Sequence, residues 1–512
     1  MSTGVTCEDI RQANNELRSE LQIQNLQGAS HVGNYQNQWQ KPITEYGRND
    51  AQWQADLNAS SFVGSIDVDA SDWEESRKAV DVVMELLLKE LKSLTVKHYR
   101  GLRIDSYVRQ GSSREGLKVL KADEFDAMLE FHFDGLESKI DETFLKNSDG
   151  YRIPGHCYLE INGVDLNDLR NEYQGLHAKS VFIESAGKLY LSSKNLHTKV
   201  FQSMVDKAIE KINQQIYNHE ITTGQKCSFG LKNDRTLTRK MNPPSINVTI
   251  TFKRDLIYER VGRVRADKEL DLDFVPAFLL RRDKTTTYEG VLLNCPIHAI
   301  CKWAEENSFK ALDFVDQNLI WDVKSLGYER HILDVARRDK RKLYILTALR
   351  ILKTYFVKTK EIARQSGGTP PQIVALLKSY HLKQLAFYLI NFLCHKYPNF
   401  EVDGVQKALL YFFCIIRIAL KEKHLPHLFF SENSVIETML PGYPRLPGPK
   451  LRFDLFRTVR RNDSLSGALL SLDNHLIPNL GFSTGGCSGL VDHEMARVEQ
   501  DFQRTVAGHD YF

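Results

Sequence analysis

The sequence predicts a bilobal protein, a mixed α/β lobe led by one long helix and followed by an all-helical lobe. Three observations point there. Val80, Val83, Met84, Leu87, Leu91 and Leu94 fall at helical spacing, which predicts one amphipathic helix over about 73–98. Between 100 and 300 most apolar runs are short and β-like, as in LKVLKADEFDAMLEFHF, YRIPGHCYLEI and SINVTITFKRD. Beyond 300 the period becomes helical, with Gly and Pro as punctuation.

Taken in order, residues 1–72 read as a flexible leader. EDIRQANNELRSELQIQ has the spacing for one short helix, and an aperiodic Asn/Gln/Gly-rich stretch follows. Asp72, with Glu75 three residues on, reads as the N-cap of the long helix. The α/β lobe spans 73–300, with a helix over about 198–217 and an extended segment ELDLDFVPAFLLRR that Pro276 interrupts. WAEENSFKALDFV, YERHILDVARRDKRKLYIL and two further helical runs assign 301–436 to the second lobe. Residues 437–512, opening with PGYPRLPGPK, read as an extended, weakly ordered extension containing Pro, Gly and Arg.

The 512 residues carry 68 Lys plus Arg against 65 Asp plus Glu, a net +3, so any nucleic-acid surface has to be local. Lys89, Lys92, Lys97, Arg100, Arg103 and Arg109 gather on the long helix and its exit; Arg337, Arg338, Lys340, Arg341 and Lys342 cluster later, and Arg452, Arg457, Arg460 and Arg461 follow. The cysteines form no CxxC pair, which argues against a structural zinc site. There is no apolar stretch of membrane-spanning length and no signal-like opening, so a cytosolic (cytoplasmic) or nuclear protein in a reducing compartment is expected. HExxH, GxxxxGK[ST], GxSxG and the protein-kinase signatures are all missing. Cys295, His298 and Cys301 in CPIHAIC lie among apolar residues and read as core.

The segment GSSREGLKVLKADEFDAML carries the chemistry. Gly111 begins a small-residue turn, with Ser112 and Ser113 as hydroxyl donors for a phosphate. Glu124 and Asp126, at i and i+2 on a strand, share a face, while Phe125 and Ala127 face the core. Two adjacent carboxylates repel unless a cation neutralises them, and magnesium carrying a triphosphate is the natural one. Asp273 is the best third carboxylate, with Asp271 on the same face as a second option. The plainer reading of the pair is a solvated strand face. In the helical lobe Lys353, Ser379, Tyr380 and Lys383 offer cations and a stacking ring for a nucleotide.

These motifs resemble the Mab-21 family, which includes cyclic GMP-AMP synthase and the animal cGAS-like receptors. The likeness runs from the Gly-Ser and paired-acid segment through DLDFVPAF, WDVKSLGYERHIL, LTALRILKTYF and LLKSYHLKQLAFY to ALKEKHLPHLFF, about residues 75–435. It implies a bilobal nucleotidyltransferase fold, α/β + α, in which the long helix is a spine. It implies that Glu124, Asp126 and Asp273 hold Mg²⁺ or Mn²⁺, that Gly111, Ser112 and Ser113 hold the donor triphosphate, and that Lys353, Ser379 and Tyr380 meet the nucleotides. The implied activity is a cyclic dinucleotide synthase using ATP and GTP or related NTPs. Nucleic acid triggers it, with oligomerisation on ligand left open, and the product acts on a STING-type receptor in antiviral innate immunity. The alternative is a catalytically silent relative that binds nucleotide or a protein partner.

Two departures bear on this. The stretch DVARRDKRKLYIL lacks the zinc-binding insertion of the vertebrate DNA sensor, so zinc is not expected, and double-stranded RNA is favoured over double-stranded DNA. Asp322 follows Trp321 where the family usually has an Arg that reads a nucleotide, which leaves base selection open; Lys324 and Arg330 are the nearby cations.

Overall fold

The computed structural model describes residues 4–24, 39–146, 150–232, 245–258, 266–286, 292–301, 316–339, 342–431, 451–457, 464–483, 493–507 and 510–511. Helix α1 (Cys7–Gln24) is followed by α2 (Ala51–Ala59) and the spine α3 (Ala70–His98). Asp69, not Asp72, caps the spine: its carboxylate accepts from the Asp72 amide at 2.8 Å. Asp72 is engaged elsewhere, with Arg254 and with Lys268 at 2.6 Å. The apolar stripe behaves as its spacing requires, with Val80, Val83, Met84, Leu87 and Leu91 fully buried.

The sheet begins with β1 (Leu102–Gln110), then the single helical turn α4 (Gly111–Arg114) and β2 (Glu124–Phe133). β3 (Ile140–Lys146), β4 (Arg152–Ile161), β5 (Phe182–Ser185), β6 (Lys188–Leu191), α5 (Gln202–Thr223), β7 (Phe229–Leu231) and β8 (Ile246–Phe252) follow. β9 (Lys268–Thr286), β10 (Leu292–Ile300) and β11 (Trp321–Lys324) complete it. The backbone order is β1-β2-β9-β10-β11-β4-β6-β5, and β8 also pairs with β9. β2 and β9 run parallel; their other neighbours are antiparallel.

Pro276 does not interrupt β9. On that edge β8 pairing stops at Phe274 and β10 pairing starts at Ala277, so the proline, lacking an N–H, falls between two ladders. CPIHAIC is strand up to Ile300, and Cys295, His298 and Cys301 are buried as expected; His298 Nε2 meets Glu130 Oε1 at 2.8 Å. β11 shows that the sheet reaches beyond residue 300 before the helices begin.

The second lobe is helical, with α6 (Leu326–Arg338), α7 (Leu343–Gln365), α8 (Ser379–Ile390) and α9 (Val405–Glu422). Helical content expected over 303–315, and the basic residues Lys340, Arg341, Arg460 and Arg461, lie outside the described residues. Both ends depart from their readings as loose extensions. Val5, Ile10, Leu17, Leu21, Trp39, Trp53, Leu57 and Val63 are buried in the common core, so the described leader is part of the body. In the C-terminal region α10 (Ser464–Ser471) and α11 (His493–Val506) bury Leu465, Ala468, Val498 and Phe502. Apolar side chains at helical spacing outweigh the local Gly/Pro content there. Among the described residues no helix is long and apolar enough to cross a membrane.

Candidate active site

Strand register builds the site. The parallel pairing of β2 and β9 sets Glu124 opposite Asp271 and Asp126 opposite Asp273. Because strand side chains alternate, all four carboxylates fall on one face. Three of them, Glu124, Asp126 and Asp273, bring carboxylate oxygens within 4.8 Å of one another. The opposite face is apolar, with Phe125 and Ala127 fully buried. Asp271 is not in the trio; Thr249 donates to it at 2.9 Å, and Asn247 donates to Asp273 at 3.0 Å.

The electrostatics are those of like charges held together. Burial, Glu124 and Asp273 push the Asp126 carboxyl up to about 7. Burial, and then Glu124 and Asp271, also raise Asp273, against the Asn247 hydrogen bond. Carboxylates that converge and resist ionisation suit a divalent cation, which binds as they give up their protons and stabilises the charge that results.

Gly111 sits directly against the trio. Its φ is +69°, and a Cβ there would stand 1.9 Å from Asp126 Oδ2, so both backbone conformation and space demand glycine. The two serines divide. Ser113 is buried and its hydroxyl donates to the Glu124 carbonyl at 2.7 Å, which fixes the turn to β2. The Ser112 hydroxyl has no partner among the described residues.

Of the helical-lobe candidates, Lys353 and Lys383 meet the segment after the turn. Lys353 donates to the Leu117 carbonyl at 2.7 Å, and burial lowers its ammonium to about 8. Lys383 lies between Glu115 at 2.7 Å and Glu329 at 2.8 Å, and burial, which disfavours charge, is outweighed by those two acids. Tyr380 Oη is 2.7 Å from His427 Nε2, its ring is half-buried, and burial raises its hydroxyl. Ser379 is exposed at the start of α8. Asp322 is buried and paired with Lys324 at 2.9 Å, whereas Arg330 donates to the Leu326 carbonyl.

Several contributors escaped the sequence reading. Lys118 lies 3.2 Å from Glu124 Oε2 and 3.3 Å from Asp123 Oδ1. Arg350, fully buried, donates to the Lys118 carbonyl at 3.3 Å, to Thr44 Oγ1 at 2.6 Å and to the Ile66 carbonyl at 2.9 Å. Trp39 packs edge-on against Phe125, centroids 5.0 Å apart. The Lys among GLKVLK was visible, but its direction is set by residues far along the chain. A separate cavity of about 470 Å³ between α1, α3 and β1 is lined by paired charges such as Lys89 and Arg109 and by none of the three acids.

The expected basic face is partly consumed by the fold itself. Lys89 pairs with Asp9, Arg103 with Asp134 and Arg109 with Asp81, each at 2.7 Å. Lys92, Lys97 and Arg100 form no ion pair with a described residue.

Residues 113–334, less than half of the chain, match the family model described as the Mab-21 protein nucleotidyltransferase domain. That span holds Glu124, Asp126 and Asp273. No curated protein matches the chain. Solved structures with similarity include CdnC of E. coli MS115-1 in a complex with HORMA-deltaN, at 11% identity over 90% of this chain and 98% of that one, TM-score 0.37. The same CdnC with ATP has 11% identity over 90% and 99%, TM-score 0.38. The CdnE cyclic dinucleotide synthase of Elizabethkingia meningoseptica with GTP and Apcpp has 9% identity over 78% and 92%, TM-score 0.32. Likeness this distant says nothing about a shared activity.

Proposed function

We propose that the protein is a metal-dependent nucleotidyltransferase that joins ATP and GTP, or related NTPs, into a cyclic dinucleotide. The observation that carries this is the convergence of Glu124, Asp126 and Asp273 beside a glycine whose Cβ would collide with Asp126. A site with that composition holds Mg²⁺ or Mn²⁺, which when bound neutralises the triphosphate and eases loss of the proton from an attacking hydroxyl. Asp126 and Asp273 hold the cation and Glu124 completes the set. The open Ser112 hydroxyl, with backbone amides of the turn, meets the donor phosphates. Lys353 and Lys383 act from behind by holding residues 115–118; the exposed Ser379 and the Tyr380 ring face the nucleotides from the second lobe.

Double-stranded RNA is the proposed trigger, with Lys92, Lys97 and Arg100 on the spine and its exit meeting its phosphates. The product is proposed to act on a STING-type receptor, and the protein to work in the cytoplasm. Support comes from the family match over the acid-bearing strands and from the unpaired bases of the spine. The test incubates the full chain with labelled NTPs, Mn²⁺ or Mg²⁺, and double-stranded RNA or DNA. A cyclic product that disappears in Glu124→Gln plus Asp126→Asn supports the proposal. A folded protein that binds NTPs yet yields no product with any ligand would favour a silent binding protein.

A further inference from the structure

Lys118 is not among the residues that the proposed reaction uses, yet among the described residues it is the cation paired with Glu124 of the trio. Its side chain is almost wholly withdrawn from solvent, with 7% relative exposure for the residue. The ammonium lies 3.2 Å from Glu124 Oε2, and its charge also bears on Asp126 and Asp273. Its second partner, Asp123 at 3.3 Å, is outside the trio and about half exposed.

The backbone that carries Lys118 is held in place from the other lobe. Arg350 donates to the Lys118 carbonyl, Lys353 to the Leu117 carbonyl, and Lys383 pairs with Glu115. Three cations of the second lobe therefore grip the segment 115–118, and the ammonium can move only by rotation about its own side chain. Such a charge, so close to three carboxylates, does part of the work of a metal.

We infer that Lys118 is a tethered counter-cation that competes with the divalent metal for the acids and yields Glu124 to it, keeping Asp123 as its partner. This rests on reading the acids as a metal site. The repulsion among the acids is then partly offset before metal arrives, and the metal's affinity is set below what the bare trio would give. Lys118 is a positioning residue here: it touches the ligands, not the nucleotide.

The experiment is Mn²⁺ titration of the full chain, followed by the electron paramagnetic resonance of free Mn²⁺ at one fixed pH. Asp126→Asn should lose binding, which establishes that the metal sits at the acids. Lys118→Met should then bind Mn²⁺ roughly tenfold more tightly, since a repelling charge beside the ligands is gone. Lys118→Arg, which keeps the charge, should stay within about twofold of the parent. If methionine disturbs folding, as judged by circular dichroism, Lys118→Gln replaces it with the same expectation. Unchanged or weaker binding in a folded, uncharged variant overturns the inference while leaving the metal site intact. Equal binding by the parent and Asp126→Asn overturns the metal site itself.

Discussion

The backbone amide of Gln40 donates to the carbonyl oxygen of Ser113 at 2.9 Å, tying a segment read as leader to the turn beside the acids. Trp39 continues the strap, with its ring against Phe125 and its indole N–H on Asp81 at 2.7 Å. Further along, the Glu45 amide donates to Thr347 and Arg350 holds Thr44, so the strap spans both lobes. Trp39→Ala should destabilise the protein by about 3–5 kcal/mol in urea unfolding, and deletion of residues 1–47 should abolish Mn²⁺ binding. Full metal binding by the truncated chain would show that the strap is dispensable to the site.

Gly111→Ala meets two penalties at once, a positive φ and the Asp126 carboxylate. Backbone strain alone costs on the order of 1–3 kcal/mol, and relief requires Asp126 to leave the trio. A drop in thermal midpoint together with weakened Mn²⁺ binding is expected. Ser112→Ala should instead raise the KM for the donor NTP and leave the fold unchanged.

Without metal, stability should fall as pH rises through about 7. Asp126 is raised in the folded state above its unfolded value, so the folded chain retains the proton that the unfolded chain releases. Between about pH 5 and 8 the thermal midpoint should decline, and Asp126→Asn should flatten that part of the curve. Saturating Mn²⁺ should flatten it too. A slope that persists in the variant would assign the linkage to another group.

Lys383→Met strands Glu115 and Glu329, both almost fully buried, without their shared cation. Loss of one member of a buried pair costs about 3–5 kcal/mol, and here two acids lose it together. Chemical unfolding checks the size. A loss under about 1 kcal/mol would mean that water or rearrangement reaches the acids.

On the spine, charge reversal should separate the paired from the unpaired bases. Lys97→Glu with Arg100→Glu should lessen the salt dependence of double-stranded RNA binding, by about one unit of slope for each phosphate that is no longer neutralised. Lys89→Glu should mainly lower stability, because it places a second carboxylate against Asp9. Identical salt slopes across the set would place the RNA elsewhere than on α3.

Much of the architecture was legible locally. The Val80-to-Leu94 stripe, the alternation around Phe125 and the helical period from about 326 onward each report a periodicity that burial enforces. Where the reading failed, local signals were ambiguous. Asp69 and Asp72 both look like caps, and the choice fell to Asp69 because Arg254 and Lys268, distant in sequence, claim Asp72. Pro276 reads as a break unless one knows that the ladder partner changes there. The leader's composition said nothing about Trp39 meeting Phe125.

By itself the sequence determined the two-lobe order, the shared face of Glu124 and Asp126, and the glycine turn before them, since each follows from residue type and spacing along one strand or helix. Tertiary structure brought the third acid to them, Asp273 as the sequence favoured, and left Asp271 outside the trio. It also gave Ser113 to the fold and left Ser112 open, and it set Lys118 against Glu124. The reason is register and reach. A parallel pairing between strands more than a hundred residues apart, and carbonyls gripped from the second lobe, depend on long-range packing that no local pattern encodes.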